Sequence, residues 1–488
     1  MSFGSVPGRS FSLGSAMPGK HGRMIRSSLL SPLALALLLP GCALGPDYHA
    51  RSAEALGVPE AYERGAAGPF DEKAAADWWA RFGDTTLDGL VGAALAGNLD
   101  IAQAKSRLVQ ARESAVQAGA ALLPSATATT SGGRNFRSPG ADSGSFSVGA
   151  DASWEADLFG ANHRSLEAAR ANVQAVTYDL ASVRIAIIGE VATNYINARL
   201  AQAQLRIARD TLTTLDDNLQ IARWRVQAGL ASSLDEQQAR TLRATTAATI
   251  PTLERNYRSA LARLAVLTGQ APGEATRALE AGGAIPVPPR GIAAGIPGDT
   301  LRQRPDVRAA ERTLAVETAR IGVARAALFP ALTISGSVGT SALKLGNLGD
   351  VVTGGLFASI SQILFDGGAR ASRVRAQRAV ADGAFAAYRA AVLTALEDVQ
   401  NGLVAVDATT ERSHQFAEAL DAAGNSAIIA RSQYRAGLQD FPTLLETERS
   451  LLSSRTNEAS ARADEALAMV QLYLALGGGW QTMQEDGQ

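Results

Sequence analysis

One cysteine, four histidines and an aromatic content of 5% leave little reactive chemistry in a chain of 488 residues. A lone cysteine, Cys42, excludes an intrachain disulfide and any CxxC metal site. His21, His49, His163 and His414 are scattered, without HExxH or other metal-ligand spacing. A GxSxG elbow and a GxxxxGK[ST] phosphate loop are missing as well, so no residue is assigned as catalytic, cofactor-binding or metal-binding. Charge of one sign is also lacking. With 46 Lys+Arg against 47 Asp+Glu, the chain has no basic footprint for nucleic acid. Adjacent carboxylates such as Asp216-Asp217 sit in heptad-patterned text and read as solvated helix surface. What is abundant is alanine, surrounded by Leu, Arg, Gln and Glu. Alanine is the best helix former and takes little space, which favours long helices with closely packed backbones.

Long apolar runs are absent except near the start. Arg23, Met24 and Arg26 precede an apolar run from Leu29 to Leu39, followed by Pro40-Gly41-Cys42. The run is shorter than the roughly 20 residues that a spanning helix needs. A basic start, a short apolar core and a small residue before the cut describe a secretory signal. Its ending on Gly41-Cys42 resembles a bacterial lipobox, in which the cysteine is acylated and becomes the mature N-terminus. The plainer alternative is an ordinary signal peptide with an incidental cysteine. Residues 1–41 are accordingly set aside as an N-terminal extension and lipoprotein signal peptide, with Met24 the better start.

The rest of the chain is written twice. Ala120-Ala121-Leu122-Leu123-Pro124 is answered by Ala326-Ala327-Leu328-Phe329-Pro330, 206 positions on. Leu158-Phe159-Gly160 is matched with Leu364-Phe365-Asp366, and Asn98-Leu99-Asp100 with Arg304-Pro305-Asp306, at the same offset. Ala228-Gly229-Leu230 matches Ala436-Gly437-Leu438 at an offset of 208. Each half is expected to run helix (Leu87 to Leu123; Asp299 to Phe329), proline stop, two strands, a very long helix, a glycine break and a returning helix. The long helices are placed at Asn162 to Gln227 and Ala369 to Arg435, their returns ending near Leu267 and Leu476. The segments are 42–86 as tether, 87–270 and 299–477 as repeats, 271–298 as linker and 478–488 as tail.

Between proline and long helix the text alternates. In Phe146 to Glu155 every second residue is apolar, and Leu332, Ile334, Gly336 and Val338 alternate with Thr333, Ser335, Ser337 and Gly339. Leu356 to Leu364 alternates less cleanly, and Ala126 to Ser131 is the weakest strand. Segments near ten residues suit membrane strands, although a half-buried soluble sheet has the same period. Four strands cannot close a barrel, and open edges do not survive in lipid, so a membrane barrel has to be shared between chains. Three chains supply twelve strands; the arithmetic alone does not choose three over two. Leu166, Val173, Leu180 and Ile187 recur every seven residues with Ala169, Val176 and Val183 three places later, and Val392, Val399 and Val406 recur likewise. A helix of that length extends about 100 Å, far beyond the needs of a single core.

These features resemble the TolC-like outer-membrane factor family, in its lipoprotein branch paired with resistance-nodulation-division efflux pumps. The residues carrying the resemblance are Gly45-Pro46-Asp47-Tyr48, Trp78-Trp79, Phe82, Asp84, Leu87, Leu90, Asn98 and Asp100. Leu158-Phe159-Gly160, Arg304-Pro305-Asp306-Val307, Phe329-Pro330 and Phe365-Asp366-Gly367-Gly368 complete the set, over most of residues 42–480. The resemblance implies a mainly α fold with a membrane part. Duplicated long hairpins form a periplasmic α-barrel, and four strands per chain enter a trimeric twelve-stranded β-barrel. It implies a homotrimer in outer-membrane lipid, anchored through Cys42, that works with a periplasmic adaptor and an inner-membrane pump and uses no cofactor. Small toxic compounds would leave through its lumen, with no catalysis. It further implies a periplasmic aperture at the second helix turn, with Glu446 as a carboxylate ring and Tyr434, Asp440 and Pro442 beside it. Gly229 and Gly437 would be the turns on which the adaptor docks. A type I protein-secretion channel shares this architecture, and a pore-less periplasmic coiled-coil scaffold lipoprotein is the alternative of another class.

Overall fold

The computed structural model describes residues 44–62, 75–136, 138–139, 143–273, 277–280, 282–289, 297 and 302–480. Cys42 and much of the linker therefore lie outside the described residues. The elements run α1 (Thr85–Gly97), α2 (Leu99–Ala120), β1 (Ser125–Asn135), β2 (Ser143–Ala156), α3 (Ala161–Gln227) and α4 (Ser233–Leu267). After a four-residue turn of helix, α5 (Arg277–Glu280), come α6 (Pro305–Ala326), β3 (Ala331–Ala342), β4 (Val352–Ser361), α7 (Ala369–Arg435) and α8 (Phe441–Ala475). Both long helices have 67 residues and both returning helices 35. At 1.5 Å per residue the long ones extend about 100 Å.

Several sequence expectations need correction. The helix expected from Leu87 to Leu123 is two helices, because Asn98 leaves the helical region (φ −67°, ψ 132°) and caps the second. Of the helix expected from Asp299, residues 299–301 lie outside the described residues, and the remainder is interrupted in the same way: Arg304 is extended, and Pro305 opens α6. The weakest strand pattern, Ala126 to Ser131, lies inside an eleven-residue strand, while β4 stops at Ser361, short of Leu364. The Leu-Phe match at 206 positions is not a structural equivalence. Gly160 and Gly368, both N-caps with positive φ (78° and 88°), are the corresponding residues, 208 positions apart.

The two interruptions share one purpose. Buried Asn98 accepts hydrogen bonds at Oδ1 from the N–H groups of Asp100 (2.9 Å) and Ile101 (3.1 Å), and its Nδ2 donates to the carbonyl of Leu267 (2.9 Å). Leu267 is the last residue of α4. In the second half buried Arg304 donates from Nη1 to the carbonyl of Ala475 (3.0 Å), the last residue of α8. Its other nitrogens are held by Asp306 and Asp398. One polar residue per repeat thus begins the incoming helix and satisfies the orphan carbonyls of the returning one.

Around these pins lies the main apolar cluster, which includes Trp78, Leu87, Ile188, Tyr195, Leu264, Val399 and Tyr473. Trp78 stacks on Tyr473 with centroids 5.3 Å apart, and Arg81 donates to the Tyr473 hydroxyl (3.0 Å). Tyr195 donates to Asp84, the cap of α1; burial and that carboxylate push its phenol up to about 12, so it remains a donor. The N-terminal tether is fixed by the Gly45-Pro46-Asp47-Tyr48 motif. Gly45 lies against the backbone of Gly322 in α6, where a Cβ would approach to 2.5 Å. Asp47 accepts from the buried Arg164 of α3 (2.7 Å), which holds the Asp47 carboxyl below its usual range, and Tyr48 donates to Glu311 (2.9 Å).

Removing the whole clamp with Asn98→Ala is expected to destabilise the fold by roughly 2 kcal/mol, combining a lost cap with an orphaned carbonyl. Asn98→Ser keeps the cap oxygen and loses only the bond to Leu267, so about half that loss is expected. Denaturant midpoints of the two variants and the unmodified protein check the ordering.

Candidate functional site

Two regions of this fold can act on something outside the chain: the sheet and the helix turns at the far end of α3 and α7. The sheet has the order β1-β2-β3-β4, antiparallel throughout. Pairing places Trp154 opposite Ile334 and Ile334 opposite Ala358, with Val148, Ala150, Ala152, Leu332, Val338, Leu356 and Ile360 on the same face. Apart from Thr130, Arg134 and Thr340 that face is apolar, yet it is uncovered: Leu356 is 80% exposed and Ile360 72%. The opposite face carries Thr127, Thr129, Ser131, Ser145, Ser147, Asp151, Ser153, Glu155, Thr333, Ser335, Ser337 and Ser359. Asp151 and Glu155 are its only charged strand residues, and Phe357 its only large apolar one. A sheet with lipid on one side and water on the other needs this division. In this chain β1 pairs only with β2 and β4 only with β3, so both outer edges carry unpaired backbone groups.

At the opposite end each long helix stops in the same hydrogen-bonded turn. Gly229 (φ 72°) donates to the Val226 carbonyl and Leu230 to that of Arg225; Gly437 (φ 74°) donates to Tyr434 and Leu438 to Gln433. This pair of bonds is the Schellman arrangement, and its positive φ favours glycine. The turns leave Leu230 and Leu438 at the outermost point, both more than two-thirds exposed. Ser232 caps α4 and Asp440 caps α8 by accepting from the Thr443 N–H (3.1 Å). Hydrogen bonds from Thr443 hold the Asp440 carboxyl below its ordinary range.

Beneath the turns is a separate apolar cluster of Leu215, Leu219, Leu242, Tyr434, Phe441, Leu444 and Leu445. Tyr434 is buried there, its ring 5.4 Å from Phe441, with the Arg225 guanidinium of α3 4.8 Å above it. That contact joins the first hairpin to the second. A cleft of about 280 Å³ lined by Ile221, Arg225, Tyr434, Arg435 and Gly437 opens beside it. Pro442 occupies the first turn of α8, where a missing N–H costs nothing. Glu446 is exposed and paired with Arg449 (3.1 Å) on its own helix. The candidate residues thus divide: Tyr434 is core, Asp440 is a cap, Pro442 starts a helix, and Glu446 is an exposed carboxylate whose one ion-pair partner is Arg449.

Sequence reading missed the ion pair between Arg431 of α7 and Glu448 of α8. Glu448 is 2% exposed and bound by two guanidinium nitrogens. Its signal was available, since Phe441, Leu444, Glu448 and Leu451 follow the 3–4 spacing of a buried stripe. Among the described residues no group of three His, Cys, Asp or Glu is arranged to hold a metal ion.

The family model described as outer membrane efflux protein matches residues 90–270 and 296–478. The chain belongs to this family. It is 34% identical over 463 residues to nodulation protein T of Rhizobium leguminosarum bv. viciae, covering 93% of this chain and 94% of that one. It is 33% identical over 470 residues to the pyoverdine export outer membrane protein OpmQ of Pseudomonas aeruginosa, covering 93% and 97%. The solved outer-membrane channel OprN superposes with a TM-score of 0.81 at 34% identity, covering 90% of this chain and all of that one. The fold is that of the trimeric TolC-like outer-membrane channels. The chain is an outer-membrane efflux channel with a large periplasmic part.

Glu448→Ala leaves the Arg431 charge facing an apolar tip. Because Arg431 is one-third exposed, the cost is expected at the lower end of that for a broken buried pair, about 3 kcal/mol. Amide exchange in the first turns of α8 should accelerate while exchange around Asn98 stays unchanged. Equal acceleration in both places would contradict a local role.

Proposed function

We propose that three copies of this chain close into one continuous conduit that carries small toxic compounds from an inner-membrane pump, through a periplasmic adaptor, to the exterior. The observation that carries this reading is the sheet: apolar and uncovered on one face, hydroxyl-lined on the other, and open at both edges. The helices support the same closure. Helix α6 packs on both α3 and α7, whereas its repeat equivalent α2 packs mainly on α3. Accordingly Ala315 and Gly322 of α6 are buried, while the equivalent Val109 and Val116 of α2 are 57% and 64% exposed. A neighbour's α7, with Val380 and Leu393 exposed, fits that flank.

In this reading the chain is a passive channel without cofactor or catalysis, held to the membrane additionally by acylated Cys42. The adaptor grips the turns at Gly229 and Gly437, where Leu230 and Leu438 offer apolar contacts. Three Glu446 carboxylates surround the aperture and attract cations, a filter needing no chemistry. The Arg225–Tyr434 contact ties the two hairpins in the closed state. OpmQ is named for pyoverdine export, which supports export of small molecules; the compound carried by this chain is a separate question for the pump.

In-cell crosslinking from cysteines beside Gly229 and Gly437, with captured partners identified by mass spectrometry, tests the assembly. An adaptor with a proton-driven pump is expected; an adaptor with an ATP-driven exporter would make it a secretion channel. Glu446→Gln should weaken cation block of single-channel current, and unchanged block removes Glu446 from the aperture. Tyr434→Ala should raise the leak of the resting channel to large antibiotics.

A further inference from the structure

The two repeats fix more than the number of strands; they fix how neighbouring chains join. From β1 to β3 the repeat offset is 206, given by the equivalent junction carbonyls Ala121 and Ala327, and Leu122 and Leu328. From β2 onward it is 208. Trp154 donates to the Leu122 carbonyl and Gln362 to that of Leu328, and Asn162 donates to Ala121 where Arg370 donates to Ala327. The strand registers agree independently: Ser125 pairs with Ser153 in the first repeat and Ala331 with Ser361 in the second, and the two offsets together account for the change.

Inside the chain, the junction between repeats is the β2–β3 pair, with Asp151 opposite Ser337 and Gly149 opposite Gly339. In a ring of chains the equivalent junction is β4 of one chain against β1 of the next. Applying the offsets to the internal register, we infer that β4 pairs antiparallel with the neighbour's β1 so that Ser359 faces Ser131, Ile360 faces Thr130 and Phe357 faces Gly133. The inference rests on the ring closure proposed above and deepens it.

The register also accounts for an outlier. Phe357 is the one large apolar side chain on the polar face, 61% exposed, and its ring lies over Gly355, where a Cβ would come within 2.8 Å of it. Gly133, on the same face at the other edge, has open space where its Cβ would be. Within the chain the adjacent Gly132 is covered from across the strand by Phe146, whose ring lies 3.3 Å from the Cβ position. An aromatic side chain placed opposite a glycine compensates the packing that glycine lacks. The glycine pair of β1 is thereby covered on one face by Phe146 of its own chain and on the other by Phe357 of the adjoining chain. The equivalent internal position needs no ring, because Gly149 and Gly339 approach each other directly: a Cβ on Gly339 would lie 3.2 Å from the Gly149 Cα.

The test uses the full-length protein in outer membranes, with Ser359→Cys combined in turn with Thr129→Cys, Ser131→Cys or Gly133→Cys. Oxidation should link chains into a denaturant-resistant trimer through the Ser131→Cys pair roughly tenfold faster than through either shifted pair, since diagonal neighbours are farther apart than direct ones. The single variants report any linkage through Cys42. Faster linkage in a shifted pair overturns the register. No linkage in any pair, in protein that remains trimeric, overturns β4–β1 joining while leaving the trimer intact. Absence of a trimer in the unmodified protein overturns the ring closure itself. As an independent measure, Phe357→Ser should lower the temperature at which the trimer dissociates in detergent by several degrees; an unchanged temperature removes Phe357 from the joint.

Discussion

Inside lipid no water is available to a strand's backbone, so every N–H and C=O must find its partner within protein. Most of the molecule follows from that requirement. A chain with only four strands cannot meet it alone, and its two outer edges state the deficit in hydrogen bonds. Closing the edges with further copies brings the α-helices into a ring as well, because each strand pair is covalently continuous with a long hairpin. The helical tube is thus as wide as the strand ring and its rise per residue permit. Neither part can be resized without the other.

Duplication is how one chain supplies a ring of near-identical units. The pins at Asn98 and Arg304 show what has been conserved in position and what has been free to change in chemistry. Both end the returning helix of their own repeat at an equivalent carbonyl, one with a neutral amide and the other with a guanidinium held by two aspartates. The tips show the converse. Their backbone turns are the same at Gly229 and Gly437, but Glu448 in the second repeat corresponds to Arg240 in the first. Equal scaffolding with unequal side chains lets a sixfold arrangement of hairpins behave as three pairs of two kinds.

The sequence made the repeat, the proline stops, the long helices and the glycine turns legible because each has a strong local cause. Proline cannot continue a helix, alanine favours one, and a positive φ calls for glycine. Breaks at Asn98 and before Pro305 were not legible. There the helix yields to a carbonyl far away in sequence, and propensity reports nothing about distant partners. β1 was weakest on paper since Thr, Ala, Ser and Gly alternate with little contrast; its pairing with β2, not its own text, makes it a strand. The equation of Leu158-Phe159 with Leu364-Phe365 was misleading for a similar reason: matching letters outvoted the two-residue difference that the capping glycines reveal. At the tip, residue types suggested an aperture without separating roles, and only packing distinguishes Tyr434 as core, Asp440 as cap and Glu446 as exposed carboxylate.

What the chain lacks is also what a conduit requires. The polar face of the sheet is made mostly of hydroxyl groups, with Asp151 and Glu155 as its charges. Hydroxyls hydrogen-bond to water and to passing solutes alike, and none makes the several convergent contacts that would hold a solute in place. A wall able to bind its cargo tightly would slow release, because passage demands that each contact be as easy to leave as to enter. The composition that looked empty of chemistry at the outset is, on this argument, the composition of a surface selected for letting go.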